Sequence, residues 1–114
     1  MWFKLNSLPH SSVYTLTSKG SPGQRSFLLR YDENGLVMYI GSETRTIGSV
    51  ALSTDNWYHL GLSYNASNKS LISKLVREDD TVIVDASITY NTTMSPQTGP
   101  FAIGSAYNGV SFND

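Results

Sequence analysis

The sequence predicts an all-β protein arranged as an antiparallel sandwich, and three observations lead there. Short segments of alternating apolar and polar residues recur along the chain, with turn signals every ~8–12 positions between them. No window carries helical periodicity bounded by start and stop signals. About a third of the residues are Ser, Thr or Asn, which favour turns and exposed strand faces over helices.

With 114 residues there is room for one domain, spanning 1–114, around one modest core. Charged residues make up 15%, and 8 basic against 9 acidic side chains leave a net charge of −1, so no basic patch points to nucleic acid. Cysteine is absent, which excludes disulfides and thiolate metal sites. No apolar run reaches the length of a membrane span, and Met1-Trp2-Phe3-Lys4-Leu5 lacks the regions of a signal peptide. Three sequons begin at Asn65, Asn68 and Asn91, as chance supplies in a chain of this composition.

The chain is organised around the stretch 53–65. A turn cluster, Ser53-Thr54-Asp55-Asn56, runs into a segment where Tyr58, Leu60, Leu62 and Tyr64 alternate with His59, Gly61 and Ser63. A period of two marks a strand with one buried face. Trp57 stands at its mouth, where a large ring is expected to seal the end of the core. In chain order, 1–5 alternates as a first strand with Met1, Phe3 and Leu5 inward, and Pro9 ends the region. Residues 12–19 form a second strand, with Val13, Thr15 and Thr17 opposing Tyr14, Leu16 and Ser18. Gly20-Ser21-Pro22-Gly23 reads as a loop.

Residues 25–31 and 36–40 form a hairpin across Asp32-Glu33-Asn34-Gly35, a type I turn closed by a glycine free to take a positive φ. Phe27, Leu29 and Tyr31 share one face, as do Leu36, Met38 and Ile40, with Arg30, Val37 and Tyr39 opposite. Residues 45–52 give a weaker strand with a bulge near Gly48. Residues 71–77 and 82–90 flank the turn Glu78-Asp79-Asp80-Thr81, the latter with Val82, Val84, Ala86, Ile88 and Tyr90 as its apolar stripe. Residues 91–100 are a polar loop, 101–104 a ninth strand, and 105–114 loop again.

In this order the segments resemble the laminin G-like modules of the concanavalin A-like lectin and glucanase superfamily. The matching pieces are Trp2-Phe3-Lys4-Leu5 with Leu8-Pro9, Thr15-Leu16-Thr17-Ser18-Lys19-Gly20, Ser26 to Tyr31, Leu36-Val37-Met38-Tyr39 and Phe101-Ala102-Ile103-Gly104 with Phe112-Asn113. The most specific piece is Trp57-Tyr58-His59-Leu60-Gly61-Leu62-Ser63-Tyr64. The resemblance implies a jelly-roll sandwich, truncated at both ends relative to the family, and an extracellular or surface-associated setting. It also implies ligands, glycan or protein, on the concave sheet or at rim loops, sometimes with calcium. Where the family has a Tyr-Val-(Asp/Asn)-Gly turn, this chain reads Leu75-Val76-Arg77-Glu78-Asp79-Asp80.

The glucanase branch carries Glu-x-Asp-x-x-Glu on one strand. Here Glu78-Asp79-Asp80 lies in a turn with Ile83 at the third position, so the reading is a solvated hairpin and not an acid/base pair. His59 lacks a second ligand at metal spacing, His10 falls in a Pro-Ser loop, and no serine sits in a Gly-x-Ser-x-Gly elbow. Calcium needs convergent oxygens, and Asp32-Glu33-Asn34, Glu78-Asp79-Asp80 and Asn113-Asp114 match no loop motif, so no cofactor is expected.

The candidate ligand-binding residues are therefore aromatic and polar groups on faces or loops away from the core: Trp2, Tyr14, Arg30, Tyr39, Tyr107 and Asn108. Flat rings stack on the C–H faces of sugars while Arg and Asn bond their hydroxyls. The expected function is a non-enzymatic recognition module for carbohydrate or a glycosylated surface. The alternative is an assembly module that homo-oligomerises through exposed strand edges, without a small-molecule ligand.

Overall fold

A computed structural model of the chain describes residues 1–8, 13–21, 24–99, 101–104, 106–107 and 112–113. Pro9, His10, Pro22, Gly23, Asn108 and Asp114, which figure in the sequence reading, lie outside the described residues. Every regular element among those described is a strand. In chain order they are β1 (Trp2–Phe3), β2 (Tyr14–Ser21), β3 (Gln24–Asp32), β4 (Gly35–Ile40), β5 (Glu43–Gly48), β6 (Tyr58–Asn65), β7 (Ser70–Arg77), β8 (Val82–Thr89), β9 (Phe101–Ile103), β10 (Ala106–Tyr107) and β11 (Phe112–Asn113).

Two antiparallel sheets face each other across one apolar cluster. One is ordered β1-β6-β7-β8 and the other β5-β4-β3-β2-β9, with β10 and β11 as a small separate pair. Neither large sheet closes on itself. The cluster takes Leu29, Tyr31, Leu36, Met38 and Ile40 from the five-stranded sheet, and Tyr58, Leu60, Leu71, Leu75 and Val84 from the four-stranded one. Alternation is obeyed most cleanly on β6 and β7, which pair without interruption from Tyr58↔Arg77 to Asn65↔Ser70. Tyr58 and Leu60 are buried, Leu62 and Tyr64 half-buried, and His59 and Ser63 exposed. The segment ahead of β6 is pinned by two buried phenols, Leu52 N–H donating to Tyr31 Oη at 2.9 Å and Ser53 N–H to Tyr58 Oη at 2.9 Å.

Trp57 departs from expectation. It is 47% exposed and seals nothing, because the alternation that turns Tyr58 inward turns its neighbour outward.

The turns behave as their residues dictate. Glu33 and Asn34 cap the β3–β4 hairpin, Asn34 N–H donates to Asp32 Oδ1 at 2.8 Å, and Gly35 follows with φ +104°. A side chain at Gly35 would run into the Gly48 carbonyl, so glycine is required on two grounds. At the β7–β8 hairpin Asp79 accepts from Arg77 Nε at 3.0 Å, Arg77 Nη2 at 2.7 Å and Thr81 N–H at 3.1 Å. Those hydrogen bonds, Arg77's first, hold its carboxyl well below the usual range.

Bulges account for the other departures. Register shifts fall between Thr15 and Thr17, between Lys19 and Gly20, between Leu36 and Val37, and between Leu75 and Val76. Each lets one extra residue slip into a strand and reverses the inside–outside phase beyond it. Thus Tyr14, expected to face away from the core, is half-buried and packs against it, while Val82, expected inward, is 49% exposed. The stretch after Gly104, expected as loop, holds the antiparallel pair Ala106↔Asn113 and Tyr107↔Phe112.

Candidate functional site

The outer face of the five-stranded sheet carries the residues that alternation pushes away from the core. Register sets Leu28 opposite Tyr39 and Arg30 opposite Val37, so Arg30 and Tyr39 are diagonal neighbours within reach of long side chains. The Arg30 guanidinium lies over the Tyr39 ring, 4.7 Å from its centre. Asp32 Oδ2 stands 3.5 Å from Arg30 Nε, and that Nε is buried without a hydrogen bond among the described residues. The Arg30 side chain is thus held from two sides, by the Tyr39 ring face and the Asp32 carboxylate.

A wall rises beside them. Residues 91–97 leave β8 and cross the end of the five-stranded sheet, fixed by contacts to both sheets. Glu43 on β5 accepts from Asn91 N–H at 2.9 Å and from Thr92 N–H at 3.2 Å. Ser26 Oγ donates to Ser95 O at 2.5 Å, and Met94 N–H donates to Tyr64 Oη at 3.1 Å. Met94 packs into the apolar cluster and anchors the loop from beneath. Burial works to raise the Glu43 carboxyl, and the hydrogen bonds from Asn91, Arg45 and Thr92 outweigh it, leaving the group below its ordinary value.

Sheet and wall enclose a groove of about 490 Å³. Leu28, Arg30, Tyr39 and Arg25 come from the sheet, and Thr92, Thr93, Ser95 and Gln97 from the wall. Its chemistry is a small apolar patch, one aromatic ring, two guanidinium groups and several hydroxyl and amide groups. That combination suits a polyhydroxylated ligand better than an apolar one.

Of the sequence candidates, Arg30 and Tyr39 are brought together here. Trp2 and Tyr14 line a different cleft of about 390 Å³ between the first residues and β2. There Trp2 is 58% exposed and meets His59 edge-to-face at 5.0 Å. Tyr14 Oη and Ser7 Oγ share a hydrogen bond of 2.7 Å. Tyr107 lies in β10, whose backbone alone is described, and Asn108 lies outside the described residues. Sequence reasoning missed Arg25 and the wall residues. Arg25 follows from the Ser26 bulge, which no residue pattern announces. The signal for the wall was Met94, an isolated apolar residue in a polar loop.

Among the described residues no group of three His, Asp or Glu side chains stands close enough to hold a metal ion, and no helix is long and apolar enough to cross a membrane. In comparisons with known proteins, no family model, no curated protein and no solved structure matches the chain.

Proposed function

We propose that the chain is a non-enzymatic recognition module, of jelly-roll and laminin G-like type, that binds carbohydrate or a glycosylated surface in the groove beside Tyr39. The observation that carries this reading is the union of Arg30 and Tyr39 with a hydroxyl-rich wall pinned to both sheets. Fixing the wall before the ligand arrives lowers the ordering cost of binding. The strand order and the resemblance of 57–64 to the family's strand support the jelly-roll assignment, and with it an extracellular or surface setting. The test is an oligosaccharide array followed by titration of its strongest ligands. Saturable binding at or below millimolar ligand supports the reading, and no binding to any glycan at that level overturns it.

A second reading has its own observation. On β9, the edge strand of the five-stranded sheet, Phe101 is 58% and Ile103 65% exposed. They border an apolar opening between the sheets, shared with Met1, Phe27, Leu60 and Leu62. An open edge beside exposed apolar side chains favours pairing with a second copy. Light scattering decides it: a concentration-dependent dimer lost in Ile103→Lys supports assembly, and a monomer at high concentration removes it.

A further inference from the structure

We infer that the free edge of β6 is a docking site for an extended strand of a partner polypeptide that carries apolar side chains two residues apart. This goes beyond both readings above, since it involves neither the groove, on the outer face of the other sheet, nor pairing along β9. β1 covers only the start of β6, in the register Trp2↔His59 and Phe3↔Tyr58. Leu60 N–H donates to Met1 O and the Met1 amine donates to Leu60 O, each at 2.8 Å. Alternation therefore turns the N–H and C=O groups of Leu62 and Tyr64 to the same side. β6 continues to Asn65, and beyond Leu60 no strand among the described residues lies along that side. A row of unpaired groups is a template for a further strand.

The space beneath that edge is apolar. On the opposite side of the sandwich β5 and β8 meet, with Val84 filling the place a Gly48 side chain would take. Here the sheets part over two adjoining pockets of about 240 and 210 Å³ that share Phe27 and Leu62. Leu60 borders the first, Met38 and Met94 the second, and no Asp, Glu, Lys or Arg lines either. Phe27, Leu62 and Tyr64 pack against the core and yet stay only half-buried.

A strand continuing the line of β1 sets one residue opposite Leu62 and another opposite Tyr64, both facing inward. Its main chain takes the free groups of β6 while those two side chains take the pockets, which is recognition by strand addition. Met94, unbranched and flexible, lets the second pocket adapt to the side chain it receives. A small apolar ligand would leave the row of N–H and C=O groups unpaired. A second copy has no spare strand to lend: its described strands are already paired, and its Phe101 and Ile103 line its own opening.

The test uses lysine-flanked peptides of about seven residues in which Val or Leu alternates with Thr. Peptides of the same composition with their apolar residues adjacent, and alternating peptides N-methylated at the amides that would pair with β6, serve as comparisons. Fluorescence anisotropy reads affinity, and hydrogen exchange reads the Leu62 and Tyr64 amides. The alternating peptides should bind saturably, at least about tenfold tighter than either comparison set, and slow exchange at both amides. Leu62→Lys, checked for an unchanged melting transition, should lose about tenfold or more; if that variant unfolds, the N-methylated set decides alone. No binding up to about millimolar peptide, or equal binding of N-methylated peptides, overturns the proposal, the latter by assigning the pockets to apolar groups without a ladder. Protection of the two amides that rises with protein concentration in the absence of peptide also overturns it, in favour of a second copy. None of these outcomes bears on glycan binding.

Discussion

Tyr90 Oη donates to the carbonyl of Met38 at 3.0 Å, joining the end of one sheet to the middle of the other across 52 residues of sequence. The phenol is 1% exposed, and Arg45 lies over its ring at 5.8 Å. Burial, with the Glu43 charge adding to it, pushes the Tyr90 hydroxyl up to about 12. An unfolded tyrosine ionises near 10. Between those values the unfolded chain gives up a proton that the folded chain keeps, so stability declines as pH rises through that window. Tyr90→Phe is expected to cost about 1 kcal/mol at neutral pH through the lost hydrogen bond, and to flatten the alkaline decline. Urea unfolding of both proteins over a pH series reads both effects.

Gly48 is held to glycine by a neighbour. A Cβ there would come within 2.5 Å of Val84 Cγ2, where the edges β5 and β8 of the two sheets meet. Gly48→Ala should destabilise by about 1–3 kcal/mol through overpacking. Adding Val84→Ala opens the space, so the double variant should fall short of the summed single costs by at least about 1 kcal/mol. Additive costs would show that the two sheet edges do not touch there.

Ser73 lies in β7 between Leu71 and Leu75, 1% exposed, and its Oγ makes no hydrogen bond among the described residues. Desolvating a hydroxyl without a partner is unfavourable. Ser73→Ala should therefore stabilise by about 1 kcal/mol, read as a rise in the denaturation midpoint with unchanged slope. A destabilised variant would mean that the hydroxyl has a partner.

How much of this was legible in the residues depends on the bulges. The β6 and β7 faces followed from period-two alternation because their pairing runs unbroken. The Arg30–Tyr39 meeting was implicit in the hairpin, since Asp32-Glu33-Asn34-Gly35 sets the register that makes them diagonal neighbours. Tyr14, Val82 and Arg25 defeated the pattern. Each lies within two residues of an inserted one (Leu16, Ile83 and Ser26), and insertion is decided by how two strands fit together, not by either strand alone. The pair β10 and β11, two residues each, is too short to show a period. Trp57 was misplaced for another reason. Its size argued for burial, while its parity with Tyr58 argued against, and parity won.

Glu43 links the groove wall to the sheet. Its carboxyl lies below the ordinary value, so the anchoring it supplies is complete above the unfolded glutamate range and is lost as pH falls through the folded value. Glu43→Gln should raise hydrogen exchange at the Asn91 and Thr92 amides, with little change at β6 and β7, and should weaken the proposed glycan binding although Glu43 does not itself line the groove. Unchanged exchange at those two amides would mean that the wall stands without Glu43.

The most direct test of the groove is an amide chemical-shift map during titration with the best-bound oligosaccharide. The expected shifts centre on Arg25, Arg30, Tyr39 and residues 92–97, saturate together, and disappear in Arg30→Gln. Shifts gathered instead around Trp2, Tyr14 and His59, or around Phe101 and Ile103, would place recognition elsewhere and contradict the account.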